Sequence, residues 1–323
     1  MRAVFCGTPE FSVPGLDAML DAGLDVPLVV SQPDRVRGRR QAPTPTPVRA
    51  RALERGVEST VLERGRANRD ELYERILDLE PDIVVVVAFG HIVREPLLHG
   101  APLGCLNVHA SLLPRWRGPA PIHTSILAGD EETGVCTMKL AAGVDTGDVY
   151  DVARTPIGIH DTAGTVHDRL AELGAQLLVT TLKRLEAGDT SSTPQPDQGA
   201  THAPMLDKRE GSVAFDRTAR EVHDRVRGLD PWPGVTVTSG DLRLKIRSTD
   251  PLQLPAGAAP GTVVSIDGDG MHVACLEGVL RIGAVQPAGR KAMKPIDCAR
   301  GYGLTEGMVL TPTDDFSPVE PRT

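Results

Sequence analysis

Residues 83–88 read Ile-Val-Val-Val-Val-Ala, an apolar run with no polar alternation. A strand with one wet face alternates, so this run is expected to be covered on both sides, at the centre of a parallel sheet flanked by helices. Around it, the first 188 residues repeat the same pattern. Short apolar segments at 3–6, 26–30, 105–109, 134–139 and 149–153 are the other predicted strands. Between them, residues 68–79 carry Leu72, Ile76 and Leu79 at helical spacing, and residues 165–185 carry Val166, Leu170, Leu173, Leu177 and Leu185. The pattern predicts an α/β domain built on an open, mostly parallel, Rossmann-like sheet.

A chain of 323 residues exceeds what a single core usually supports, so a second domain is expected. Residues 188–199 (Gly-Asp-Thr-Ser-Ser-Thr-Pro-Gln-Pro-Asp-Gln-Gly) have linker composition and no apolar residue to anchor them. This predicts a first domain over 1–188, a linker over 189–205 and a C-terminal domain over 206–323. In the last of these, residues 218–229 read as a helix ended by Pro231-Trp232-Pro233-Gly234. Short β-like runs follow at 235–238, 242–246, 261–266, 271–275 and 279–285. Several short strands between turn signals predict a small β-barrel of the OB-like type. The tail after Gly301 is expected to be poorly ordered at its end.

Composition removes several classes of function. With 40% apolar and 24% charged residues the chain is a folded protein, and a net charge of -8 argues against a general nucleic-acid coat. The longest apolar run, 83–89, is far short of the roughly 20 residues needed to cross a bilayer as a helix. The segment after Met1 reads as a first strand and not as a leader, so a cytoplasmic protein is expected. Its five scattered cysteines, Cys6, Cys105, Cys136, Cys275 and Cys298, read as reduced thiols. Cys6 and Cys105 in particular are expected to be small buried residues.

The densest chemistry lies in Cys105-Leu-Asn107-Val-His109-Ala-Ser111-Leu-Leu-Pro114. Successive strand side chains alternate between faces, so Asn107 and His109 share one side at the carboxyl end of a strand, where open α/β sheets bind ligands. Gly143-Val-Asp145-Thr-Gly147-Asp148 is a second polar segment, and its glycines allow a tight loop that could bring Asp145 to the imidazole. An amide, an imidazole and a carboxylate, with no Ser or Cys in a nucleophile's place, point to transfer onto an external nucleophile. A lone Asn-x-His at a strand end is more often a hydrogen-bonded turn anchor; the full run shifts that balance. His109, His123 and Asp145 lack metal-ligand spacing, so a metal-free site is expected. Gly7-Thr-Pro-Glu10 lacks the G-x-G-x-x-G pattern, which argues against nucleotide binding there. The basic run Arg35-Val-Arg37-Gly-Arg39-Arg40 is either a solvated loop or a phosphate-pairing one.

Taken together, these motifs resemble the 10-formyltetrahydrofolate-dependent formyltransferases, whose fingerprint is an Asn-x-His strand, Ser-Leu-Leu-Pro, and an Asp in a Gly-flanked loop further on. The longer run Ser111-Leu-Leu-Pro-Arg-Trp-Arg-Gly-Pro-Ala-Pro-Ile122 is similar to the branch of that family that formylates methionyl-tRNA. Three further segments agree: Gly7-Thr-Pro-Glu-Phe11, Gln32-Pro-Asp-Arg35 with Pro45-Thr-Pro-Val48, and Gln286-Pro-Ala-Gly-Arg-Lys-Ala-Met293. The resemblance implies catalytic roles for Asn107, His109 and Asp145. It implies a 10-formyltetrahydrofolate site against Ser111, Leu112, Leu113 and Pro114, with Gly90 and Ile92 as a wall. His91 reads as a partly exposed strand-end residue.

By the same resemblance Arg39, with Arg37 and Arg40, would contact initiator methionyl-tRNA. A monomer without DNA or membrane partners is expected. Two rivals stay open: a formyltransferase acting on glycinamide ribonucleotide or an amino sugar (or a hydrolase of the same donor), and a catalytically silent RNA-binding relative. The basic loop and the extra C-terminal domain speak against the first, and the intact Asn107, His109 and Asp145 against the second.

Overall fold

The structure is a computed structural model that describes residues 1–36 and 43–314. It contains two compact units, one of residues 1–117, 132–155 and 167–201, the other of residues 118–131, 156–166 and 202–323.

The first unit is organised by β1 (Ala3–Gly7), β2 (Val29–Ser31), β5 (Ser59–Val61), β6 (Ile83–Val87), β7 (Cys105–His109), β8 (Glu132–Lys139) and β9 (Val149–Pro156). They form one seven-stranded sheet in the order β5-β2-β1-β6-β7-β8-β9. Pairing is parallel from β5 through β7, and β8 runs antiparallel to β7. The expectation of a mostly parallel sheet holds, with β6 central and all five of its residues buried. A separate two-stranded pairing joins β3 (Arg35–Val36) to β4 (Pro43–Thr44).

The reason β6 shows no alternation is visible in the packing. On one face Val84 and Val86 join Val4, Cys6 and Val30 against Leu72, Tyr73 and Ile76 of α3 (Arg66–Asp78). On the other, Val87 and Val108 sit with Gly15 of α1 (Val13–Asp21) and with Gly174 and Leu178 of α6 (Ala163–Glu186). Gly174 is what lets α6 lie directly on β7, because a Cβ there would come within 3.0 Å of Val108 Cγ1. Helix α2 (Pro47–Glu54), capped by Thr46, was not legible as a helix, since its polar, Arg-rich sequence carries a narrow apolar stripe of Val48 and Ala52.

Residues 188–199 are more firmly held than linker composition implies. Thr193 and Val149 exchange two backbone hydrogen bonds of 2.8 Å each, and Ser192 Oγ donates to Asp148 at 3.1 Å. The anchor is backbone pairing, which leaves no trace in composition.

The second unit has a curled six-stranded sheet, OB-like as expected. Its strands are β10 (Val235–Ser239), β11 (Leu242–Leu252), β12 (Val263–Ile266), β13 (Met271–Ala274), β14 (Val279–Pro287) and β15 (Thr311–Pro312), in the order β12-β13-β14-β11-β10-β15. Register shifts around Ser248 bend the long β11 along its pairing with β14. Helix α7 (Ala219–Gly228) begins with a Thr218/Glu221 capping box and buries Val222 and Val226 against Val235, Leu244 and Ile282. The tail contributes β15, which was not anticipated, before residues 315–323 pass outside the described part.

Candidate active site

Strand β7 ends at His109, and its register places Asn107 opposite Val86 of β6 and Met138 of β8. Asn107 and His109 are 9% and 6% exposed, on the face opposite Val108. The chain leaving β6 (residues 88–92) and the chain leaving β7 (residues 110–116) emerge side by side, because Val87 pairs with Val108.

Asp145 arrives by a less direct route. Since β8 is antiparallel, it exits at Lys139 opposite Leu106, away from the end of β7. The loop 140–147 must therefore fold back along the strand to reach the imidazole. It is pinched at its base by the Lys139 amide donating to the Asp148 carbonyl at 2.9 Å. Gly147 makes this pinch possible, because a Cβ would fall 1.9 Å from the Lys139 carbonyl oxygen. Asp145 itself has φ 50, in the left-handed region that a non-glycine residue enters at a cost.

The result is a meeting of His109 and Asp145, with Nδ1 to Oδ2 at 3.6 Å. That is an ion-pair distance and too long for a hydrogen bond, a looseness common in catalytic pairs before substrate arrives. The other ring nitrogen, Nε2, donates to the Trp116 carbonyl at 3.0 Å. Both ring nitrogens thus face acceptors, one at hydrogen-bond distance and one at ion-pair distance.

Asn107 differs from both neighbours. Among the described residues its carboxamide has no hydrogen-bond partner, yet it is not sealed from solvent. A buried carboxamide that the protein leaves unspent is free to donate to a bound carbonyl oxygen.

The other expected residues fall as follows. Ser111 is 1% exposed and its hydroxyl is consumed locally, donating to the Arg115 carbonyl at 2.7 Å. Leu113 packs against Cys136, Met138 and Val149. Together with Tyr150, Thr193 and Gln195 it also lines an open cleft of about 390 Å³. Gly90 has φ 76, and Ile92 is 67% exposed, an apolar side chain standing in solvent. His91 is half-buried with its ring 5.3 Å from that of Phe89, and burial pushes its pKa below the usual imidazole range. Arg37, Arg39 and Arg40 lie outside the described residues.

All five cysteines are buried, and burial pushes the Cys105 thiol up to about 12 and that of Cys136 up to about 11, which keeps both unreactive. Among the described residues no cluster of three or more His, Cys, Asp and Glu is placed to hold a metal ion, and no helix is long and apolar enough to cross a membrane.

Sequence reasoning missed Gln195, Trp116 and Thr201, which touch this site through hydrogen bonds alone. Their only trace was Trp116 within the long motif.

A sheet of this topology, joined to an OB-like unit and carrying an amide, an imidazole and a carboxylate at one strand end, defines a two-unit transferase class. The chain belongs to the formyl transferase family and is an enzyme of it: the match to Formyl transferase covers residues 1–182, and that to the Formyl transferase C-terminal domain covers residues 205–303. Within the family, methionyl-tRNA formyltransferase of Paracoccus denitrificans is 45% identical over 307 residues, covering 95% of this chain and 99% of its own. That of Symbiobacterium thermophilum is 43% identical over 316 residues, covering 97% and 96%. WlaRD, a sugar 3N-formyl transferase solved in the presence of dTDP and 5-N-formyl-THF, shares the fold with a TM-score of 0.67. It does so at 17% identity over 90% of this chain and 99% of its own.

Proposed function

We propose that this protein transfers the formyl group of 10-formyltetrahydrofolate to the α-amino group of methionine carried on initiator tRNA, giving N-formylmethionyl-tRNA and tetrahydrofolate. The observation that carries this reading is the approach of Asp145 to His109 beside the unspent Asn107 carboxamide, in a chain 45% identical to a methionyl-tRNA formyltransferase.

The neutral methionyl amine attacks the formyl carbon, and the carbonyl electron pair moves onto oxygen. An α-amino group titrates near ~7.7 to 8.0 and esterification of the carboxyl lowers this further, so neutral amine is plentiful and no strong base is required. The difficult step is the oxyanion, to which Asn107 donates a hydrogen bond with the His109 imidazolium beside it. Asp145 holds the ring oriented and relays, through water, the proton that leaves the amine. Collapse breaks the bond between the formyl carbon and N10 of the folate, and that nitrogen takes the proton.

The folate lies against the backbone of Ser111, Leu112, Leu113 and Pro114, with Gly90 and exposed Ile92 as its wall. The Ser111 hydroxyl, already used on the Arg115 carbonyl, supports the turn and leaves recognition to the main chain. Arg39, flanked by Arg37 and Arg40, pairs with phosphates of the acceptor stem, and the OB-like domain adds tRNA contacts. In this reading residues 1–188 carry the chemistry, 189–205 connect, and 206–323 hold the tRNA. The protein acts as a cytoplasmic monomer.

The test is an acid-gel assay with purified protein, 10-formyltetrahydrofolate, and either charged initiator tRNA or glycinamide ribonucleotide. Formylation of the tRNA is expected; modification of glycinamide ribonucleotide alone would overturn the substrate assignment.

A further inference from the structure

The loop that carries Asp145 is pinched at its base by the Lys139 amide on the Asp148 carbonyl. Its tip is flanked by Gly143 and Gly147, and the loop leaves β8 opposite Leu106 and must turn back to reach His109. The tip is held from residues 193–201, the stretch that composition marks as a spacer. The Gln195 carboxamide donates both of its hydrogens into the loop, to the carbonyls of Asp145 and Gly147, at 2.8 Å each. Its oxygen accepts from Arg117 Nε at 2.9 Å. With two acceptors on one end and a donor on the other, the amide has a single orientation, and both of its N–H donors are used.

Those two carbonyls bracket Thr146, so the clamp fixes the peptide units on both sides of the turn just after Asp145. Residue 145 is also where the backbone enters the left-handed region, at φ 50. Such a conformation persists where surrounding contacts over-determine it, and the Gln195 bonds are such contacts.

The same stretch reaches the other side of the imidazole. Thr201 Oγ1 accepts from the Trp116 amide at 2.9 Å, and the Thr201 carbonyl accepts from the Arg117 amide at 3.0 Å. Trp116 supplies the carbonyl on His109 Nε2. One strap thus holds the acceptors at both ring nitrogens, and its own base is secured where Thr193 pairs with Val149.

We propose that Gln195 is a positioning residue for formyl transfer, clamping the 145–147 turn so that the Asp145 carboxylate stays in line with His109. The proposal rests on the reading of Asp145 as catalytic. Gln195 touches no reacting atom, so its removal acts on turnover through Asp145 and leaves substrate binding alone.

The experiment compares wild type, Gln195→Met, Gln195→Glu, Asp145→Asn and the double variant Gln195→Met/Asp145→Asn. Each is assayed for kcat, for KM toward 10-formyltetrahydrofolate and charged tRNA, and for Tm. Met keeps the side chain's length without its hydrogen bonds, and Glu keeps the shape and the Arg117 partner while losing both donors. Both are expected to lower kcat about 10- to 100-fold, the scale of a sub-ångström to 1 Å misplacement, with each KM within about threefold of wild type. In the Asp145→Asn background, Gln195→Met should cost less than about twofold, because the group it positions is gone.

Wild-type kcat in either Gln195 variant overturns the proposal. So does an undiminished loss in the Asp145→Asn background, which would make Gln195 act elsewhere, or a loss that appears in KM alone. If Asp145→Asn itself turns over like wild type, it is the catalytic reading of Asp145 that fails, a result separable from the others.

Discussion

His109 and His223 are buried almost equally, at 6% and 2% exposure, each beside an aspartate within its own unit, and they are spent in opposite ways. His223 Nδ1 meets Thr249 Oγ1 at 2.8 Å and Nε2 donates to the Ile159 carbonyl at 2.7 Å. Its neighbour Asp224 is committed to Arg220 at 2.7 Å and to Arg227 at 2.6 Å, and Arg227 donates in turn to the carbonyls of Gly158 and Asp161. Within this network, one side-chain atom, Arg227 Nη2, is sealed without a partner among the described residues. Around His109, by contrast, one bond is firm, the carboxylate stands off at 3.6 Å and the Asn107 carboxamide is unspent. Burial and residue type do not separate the two sites; what differs is that the open carboxamide of Asn107 is not sealed, whereas the open atom of the His223 network is.

The comparison breaks most visibly at Asp224. Asp224→Ala strands Arg227, which is 4% exposed, without its carboxylate. Loss of one partner of a buried pair costs about 3–5 kcal/mol, so denaturant unfolding should show a large fall in stability while kcat per folded molecule stays at wild type. Unchanged stability would mean that the network is not closed in the sense argued. Asn107→Ala is the mirror image. In the proposed role, removing this oxyanion donor should lower kcat by about 10² to 10³, or roughly 2.7–4 kcal/mol of barrier, and with no native bond to lose the variant should unfold almost as wild type does. A stability loss of the Asp224 kind with kcat intact would turn the active site into a structural cluster.

How much of this contrast was legible in the sequence depends on how each part is encoded. Asn107 and His109 were legible because strand alternation alone puts them on one face, and Asp145 because its flanking glycines announce a loop. The buried β6 was legible because a two-sided strand has no polar positions. Gln195 was not, since its role is made of hydrogen bonds to backbone carbonyls, for which any donor of the right reach would serve. The His223 network was also hidden: Val222 and Val226 announce the apolar stripe of α7, but nothing in the sequence brings its polar residues to the carbonyls of residues 158–161. Arg225 belongs to the same hidden set, bonded to the carbonyls of Ser212 and Glu210 at 2.7 Å each, with burial pushing its pKa down to about 10.

The smallest expected effect is the most specific to the closed network. Burial lowers the His223 pKa below 6.5, outweighing the Ile159 carbonyl and the Asp224 charge, which act to raise it, while Arg227 and Arg220 add to the lowering. The folded protein therefore keeps His223 neutral at a pH where the unfolded chain already takes up the proton. Where the unfolded state binds more protons, stability rises with pH. The His223 contribution is thus fully present above about 6.5 and is lost as pH falls from there through the lowered folded value. Replacing the imidazole with a neutral amide, His223→Gln, lowers Tm at every pH by disturbing the two bonds, but it removes this titration. The drop in Tm between about pH 7.5 and pH 5 should therefore be shallower in the variant than in wild type, with kcat at the higher pH within about twofold. Equal slopes would show that the network tolerates a charged ring, and the sharp line between the two histidines would then have to be drawn on geometry alone.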